Sequence, residues 1–163
     1  IFIEGELGYI GSSSEILKET PEGAALSSDA FTKADEAARF VKETGVDALA
    51  PAVGNMHGLL ESMVAGDTKK HLDVARIADI KKATNCFLVQ HGGSGTADDD
   101  FVAGIRAGIN IVHVNTELRL AWRKGVEEGL AENPSEVAPY KILPDAVRDV
   151  KEVVVARLKL FNE

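Results

Sequence analysis

Two histidines sit where chemistry is commonly done. His57 in GNMHG and His91 in QHGGSG each follow or end an apolar, strand-like run and stand next to glycines. Imidazoles from separate strands are the usual way to hold a catalytic Zn²⁺, with three protein ligands and one position open for water or substrate. A lone inward histidine is ordinarily a satisfied core residue, but two in the same setting read as ligands that want a third. Carboxylates come next. In IFIEGELG, residues 1–8, Ile1, Ile3 and Leu7 share one face of a strand and leave Glu4 and Glu6 on the other. Two inward carboxylates are costly unless a cation or several donors meet them. Behind His91, Gly92, Gly93 and Gly95 let the backbone turn sharply and bring N–H groups within reach of phosphate oxygens, and Ser94 adds a hydroxyl. A glycine run alone is only a turn; its position directly after a ligand-like histidine gives it meaning. His71, in the charged stretch DTKKHLD with no strand end, reads as a surface residue.

These groups need elements to carry them. Four strand candidates, each followed by helical sequence, give the alternation of a parallel α/β sheet: 1–8, VDALAPAVG at 46–54, CFLVQHGG at 86–93 and NIVHVNT at 110–116. A helix over about 33–44 is read with Thr32 as N-cap and Gly45 as its stop, and a helix over 97–107 with Thr96 as N-cap and Gly108 as its stop. In the fourth strand Val112 and Val114 face one way and Ile111, His113 and Asn115 the other, so polarity gathers again at the C-terminal end. From ELRLAW onward the sequence is helical, with a Pro-containing connection. Val147, Val150, Val154, Leu158 and Phe161 form an apolar stripe that reads as a docked helix face. Four βα units amount to half of a (β/α)₈ barrel, a fold of about 250 residues whose active sites lie at the C-terminal strand ends.

Composition bounds the function. The chain has 163 residues, is 45% hydrophobic and carries a formal charge of −8, which gives no footing for nucleic acid or an anionic membrane. Backbone N–H groups can still hold a small phosphorylated metabolite. Cys86 is the only cysteine, so no intrachain disulfide forms, and no apolar run approaches the roughly 20 residues needed to span a bilayer. A reducing, cytoplasmic setting is the expectation. The sequence opens at Ile1 without a methionine, so its natural N-terminus is expected to lie elsewhere.

ELG in the first strand, VDALAPAVGNMHG, VQHGGSG and VNTELRLAW together resemble the C-terminal half of the class II, metal-dependent ketose-bisphosphate aldolases. The resemblance runs over nearly the whole chain and is weakest after Asn133. It implies a TIM (β/α)₈ barrel of which residues 1–163 are roughly strands 5–8, with a helical extension from about 117 to 163. It also implies a glycolytic type of chemistry: aldol cleavage or condensation of a ketose 1,6-bisphosphate, fructose- or tagatose-type, to dihydroxyacetone phosphate and an aldehyde phosphate. Zn²⁺ or another divalent metal polarises the carbonyl and stabilises the enediolate, and a monovalent cation is an additional expectation. By motif match His57 and His91 are metal ligands, and Glu6 holds an alternative metal position. Gly58, Gly92, Gly93, Ser94, Asn115 and Thr116 bind the triose phosphate. Partners are then a sugar phosphate and further copies of the chain, as a dimer or tetramer.

The sequence departs from that pattern in three ways. The third histidine ligand and an aspartate that handles a hydroxyl proton belong to the half not present here. The loop after the first strand reads Gly11, Ser12, Ser13, Ser14, Glu15 where the family has Gly-Gly and acids, so Glu15 is the candidate carboxylate there. His113 replaces a usual asparagine and is a candidate catalytic or substrate-binding donor. Two alternatives follow: a non-catalytic half-barrel needing a complementary half, and a phosphate-binding barrel of other chemistry.

Overall fold

The computed structural model describes residues 1–25 and 27–163. In chain order, β1 (Glu4–Leu7) leads through a two-residue strand, β2 (Ile16–Leu17), to α1 (Ala34–Thr44) and β3 (Ala48–Pro51). A second two-residue strand, β4 (Leu59–Leu60), and a short helix, α2 (Glu61–Ala65), precede α3 (Val74–Thr84), β5 (Phe87–Gln90), α4 (Asp98–Ala107) and β6 (Ile109–Val112). Three helices end the chain: α5 (Thr116–Glu132), α6 (Pro139–Ile142) and α7 (Pro144–Leu160). The chain divides into two compact units, Ile1–Val114 and Asn115–Glu163.

In the first unit a four-stranded sheet runs in the order β1-β3-β5-β6, every pair parallel, and β2 pairs with β4. Strands that neighbour each other in chain order, with no reversal, are wound as in a (β/α) barrel rather than as in a doubly wound sheet. The two sheet faces differ. Leu49, Leu88 and Ile109 join Ala37 of α1 and Ile77 and Ile80 of α3 in the main core. The opposite face is lined by small or β-branched residues: Ala48, Ala50, Val89 and Ile111. Ile109 and Ile111 are two apart yet lie on opposite faces, because β6 carries a bulge. Leu88 lies opposite Ile109 and Val89 opposite Ile111, leaving Asn110 as the extra residue. The Asn110 side chain mends the gap, its Oδ1 accepting from the Leu88 amide at 3.1 Å and from Lys81 Nζ at 3.1 Å.

Two threonines expected as helix caps do other work. α1 has Lys33 at its N-cap. Buried Thr32 instead donates its hydroxyl to Leu7 O at 2.7 Å and accepts from the Ala52 amide at 3.0 Å, which ties β1 to β3. α4 has Ala97 at its N-cap without a side-chain cap bond, while Thr96 is buried and meets Gln90 Nε2 at 3.1 Å. In both places a buried strand end offered the hydroxyl a partner shielded from water, and that outweighed the cap. Gly45 ends α1 in the left-handed region, as read from sequence.

The second unit pairs α5 with α7. A Cβ on Gly125 would lie 2.4 Å from Ala146 Cα in α7, and one on Gly129 only 2.0 Å from Ile142 O in α6, so both helices approach α5 where it has no side chains. This corrects the reading of the apolar stripe. Val147 is 66% exposed, Leu158 is 57% exposed and Val154 is also exposed, while α7 buries Ala146 and Asp149. The packed face is set by Gly125 of α5, which accepts a small residue. Arg157 closes the far end by a two-pronged ion pair to Glu117, at 2.9 Å for each contact.

Candidate active site

Glu4 and Glu6 occupy alternate positions of β1 and therefore share a face. His91 follows the last residue of β5, which is separated from β1 by β3. The three meet: His91 Nδ1 lies 2.6 Å from Glu6 Oε2, and His91 Nε2 lies 2.7 Å from Glu4 Oε1. His57, in the loop after β3, stacks beside His91 with ring centroids 5.7 Å apart. His113, just past β6, lies against the other side of His91 at 4.8 Å. The bulge at Asn110 is what gives His113 this aim, since it puts Ile111 and His113 on the carboxylate face.

Two overlapping sets of three potential metal ligands result, Glu6–His57–His91 and Glu4–His91–His113, with the ligand atoms of each set within 4.8 Å of one another. Two imidazoles and a carboxylate suit a borderline divalent ion such as Zn²⁺. His57 Nδ1 lies 2.6 Å from the Gly11 carbonyl, which can only accept, so that nitrogen carries a proton and Nε2 is the ring atom that could ligate a metal. Two carboxylates about one imidazole are a donor set that a cation could complete.

The glycine loops fit this site by close approach. Gly92 adopts φ 59°, and a Cβ there would come within 2.2 Å of Met56 O. HGGSG therefore lies directly on GNMHG. Gly93 donates its amide to His113 O at 3.0 Å, joining the loop after β5 to the end of β6. Ser94 is buried. Gly58 lies against the Ser13 and Glu15 carbonyls, 3.1 and 2.8 Å from the position of an added Cβ. Glu15 has its backbone at this junction and its side chain exposed. Asn115 and Thr116 open the second unit, Asn115 at the N-cap of α5 and Thr116 buried. His71 is on the surface as expected, bonded to Asp100 at 2.9 Å.

A family model described as fructose-bisphosphate aldolase class-II matches residues 1–163. The chain belongs to this family. A fructose-bisphosphate aldolase of Pseudomonas aeruginosa is 32% identical over 191 residues, covering 99% of this chain and 53% of the relative. Another, of Geobacillus stearothermophilus, is 32% identical over 162 residues, covering 99% and 52%. The chain thus spans about half the length of the curated relatives it matches. Among solved structures, the YdjI aldolase from Escherichia coli K12 superposes with a TM-score of 0.70 at 28% identity over 99% of this chain and 49% of that one. The fructose-bisphosphate aldolase of Campylobacter jejuni shares the fold at a TM-score of 0.71, with 18% identity over 99% and 50%.

Two further residues hold the site, and sequence reading passed over both. Asn55 is fully buried, accepts from the Val53 amide at 2.8 Å and donates to His91 O at 3.1 Å, locking one histidine loop to the other. Its signal was the GN that precedes MHG. Lys70 is 4% exposed and lies next to exposed Lys69 in a charged run, where nothing in the residue types distinguishes a buried lysine from a solvated one.

Proposed function

We propose that residues 1–163 supply strands 5–8 of a (β/α)₈ barrel with a helical extension, and that the whole protein is a metal-dependent lyase. Its reaction is aldol cleavage or condensation of a ketose 1,6-bisphosphate, fructose- or tagatose-type, giving dihydroxyacetone phosphate and an aldehyde phosphate. The observation that carries this reading is the convergence of Glu6, His57 and His91 from three separate segments, with ligand atoms within 4.8 Å.

In this reading His57 and His91 hold Zn²⁺ or a similar divalent ion, and Glu6 offers an alternative position. When bound, the ion supplies Lewis-acid polarisation of a substrate carbonyl. The chain's own groups do the rest. The Gly11 carbonyl keeps the His57 proton on Nδ1, and Asn55 fixes the His91 backbone. By motif match the phosphate-binding residues are Gly58, Gly92, Gly93 and Ser94 in the first unit and Asn115 and Thr116 at the start of the second. His113, exposed at the strand end, donates a hydrogen bond to a substrate oxygen. Glu15, on its exposed loop, is the carboxylate that can carry a proton.

The test is metal analysis of the full-length protein beside a cleavage assay with fructose and tagatose bisphosphates. About one divalent ion per subunit is expected, with activity abolished by a chelator and restored by metal. His57→Ala and His91→Ala should each lower metal affinity at least about 10-fold and activity with it. Chelator-resistant cleavage would overturn the reading.

A further inference from the structure

Lys70 is the most unusual buried group of the first unit. Its Nζ donates to four backbone carbonyls: Met56 O at 2.7 Å, Gly58 O at 2.7 Å, Ser94 O at 2.7 Å and Gly92 O at 3.1 Å. Two of these flank His57 and two follow His91. The residue is anchored by its own backbone as well, its amide donating to Gly95 O at 2.8 Å and its carbonyl accepting from the Ala97 amide at 3.0 Å.

Four carbonyl oxygens turned toward one point repel each other unless a positive centre stands between them. An ammonium has three N–H bonds and a full charge, enough to satisfy four acceptors if one bond is shared. A neutral amine would turn its lone pair onto an oxygen. Rings of carbonyls of this kind are how proteins coordinate bare monovalent cations. Here the cation arrives on a tether.

We propose that Lys70 is a positioning residue whose ammonium is a built-in monovalent cation, clamping GNMHG to HGGSG and thereby setting the separation of His57 and His91. The clamp dispenses with a free K⁺ or Na⁺ at this point. The proposal uses the metal-ligand reading of the two histidines only for its affinity readout, not for its stability readout.

The experiment compares wild type, Lys70→Ala and Lys70→Met in the full-length protein, at constant ionic strength, in tetramethylammonium, K⁺ or NH₄⁺ salts. Zn²⁺ affinity and melting temperature are read for each, with folding checked by circular dichroism. Wild type should be indifferent to the monovalent ion. Lys70→Ala leaves room at the carbonyls, so it should lose Zn²⁺ affinity by about 10- to 100-fold in tetramethylammonium and regain most of it, with several degrees of melting temperature, in K⁺ or NH₄⁺. Lys70→Met fills the space with an uncharged chain and should be weakened in all three salts. Lys70→Ala that binds Zn²⁺ and melts like wild type would overturn the proposal, as would a folded Lys70→Ala that no cation rescues. Should neither variant fold, a wild type that needs K⁺ for stability overturns the proposal and an indifferent one upholds it. Wild type that binds no Zn²⁺ at all would count against the metal-ligand reading, while the melting temperatures still decide the clamp.

Discussion

At the scale of single residues, the site depends as much on what is missing as on what is present. Gly92 and Gly45 both have positive φ, 59° and 69°, but a Cβ on Gly92 would meet Met56 O at 2.2 Å, whereas one on Gly45 meets nothing within 4 Å. Gly92→Ala is therefore expected to cost about 2–5 kcal/mol, backbone strain and overpacking together, while Gly45→Ala costs only the strain, about 1–2 kcal/mol. Urea unfolding of the two variants measures the difference, and equal losses would mean that the loops do not press together at Gly92. Cys86 makes a second point. Burial pushes its thiol up from the usual cysteine range, and Sγ faces Asp47 O at 3.0 Å. It should react with a thiol reagent only after denaturant is added, and rapid labelling of the native protein would contradict its placement.

At the scale of elements, hydroxyls and amides from loops join strands that residue pattern alone would leave independent. Thr32 links Leu7 of β1 to Ala52 beyond β3. Thr32→Val keeps the shape, removes both bonds and should cost about 1–3 kcal/mol in a chemical-denaturation experiment. The four strands of the main sheet, their order and the face shared by Glu4 and Glu6 were legible in the sequence, because apolar runs bounded by turn residues alternate there with helical sequence, whereas the two-residue strands β2 and β4 are too short to leave a pattern. The pairing of His57 with His91 was legible too, since both stand beside glycines at strand ends. What was not legible depends on three-dimensional neighbours. Thr32 and Thr96 look like caps until a buried strand end competes for their hydroxyls. The stripe from Val147 to Phe161 looks like a packing face until Gly125 selects Ala146 instead. Lys70 looks solvated until four carbonyls surround it.

At the scale of the whole molecule, each unit has its own source of stability and its own sensitivity. The second unit relies on charge: Arg148, hydrogen-bonded to the Asp149 carboxylate, and Lys124 nearby hold that group below the usual aspartate value of 3.8. A depressed folded value means that the contribution is full above pH 3.8 and fades as pH falls through the lower folded value. Wild type should thus exceed Asp149→Asn in melting temperature at neutral pH, and the gap should close in acid; a gap independent of pH would contradict the ion pairing. The first unit relies on register, and the bulge in β6 shows how much hangs on one position. Were Asn110 kept but taken into the ladder opposite Val89, the strand would be perfectly regular and yet everything downstream of it would be reversed. The third imidazole would turn from the carboxylates toward the helices and a valine would take its place among them. In that sense an irregularity, rather than any one ligand, decides which chemistry this sheet presents.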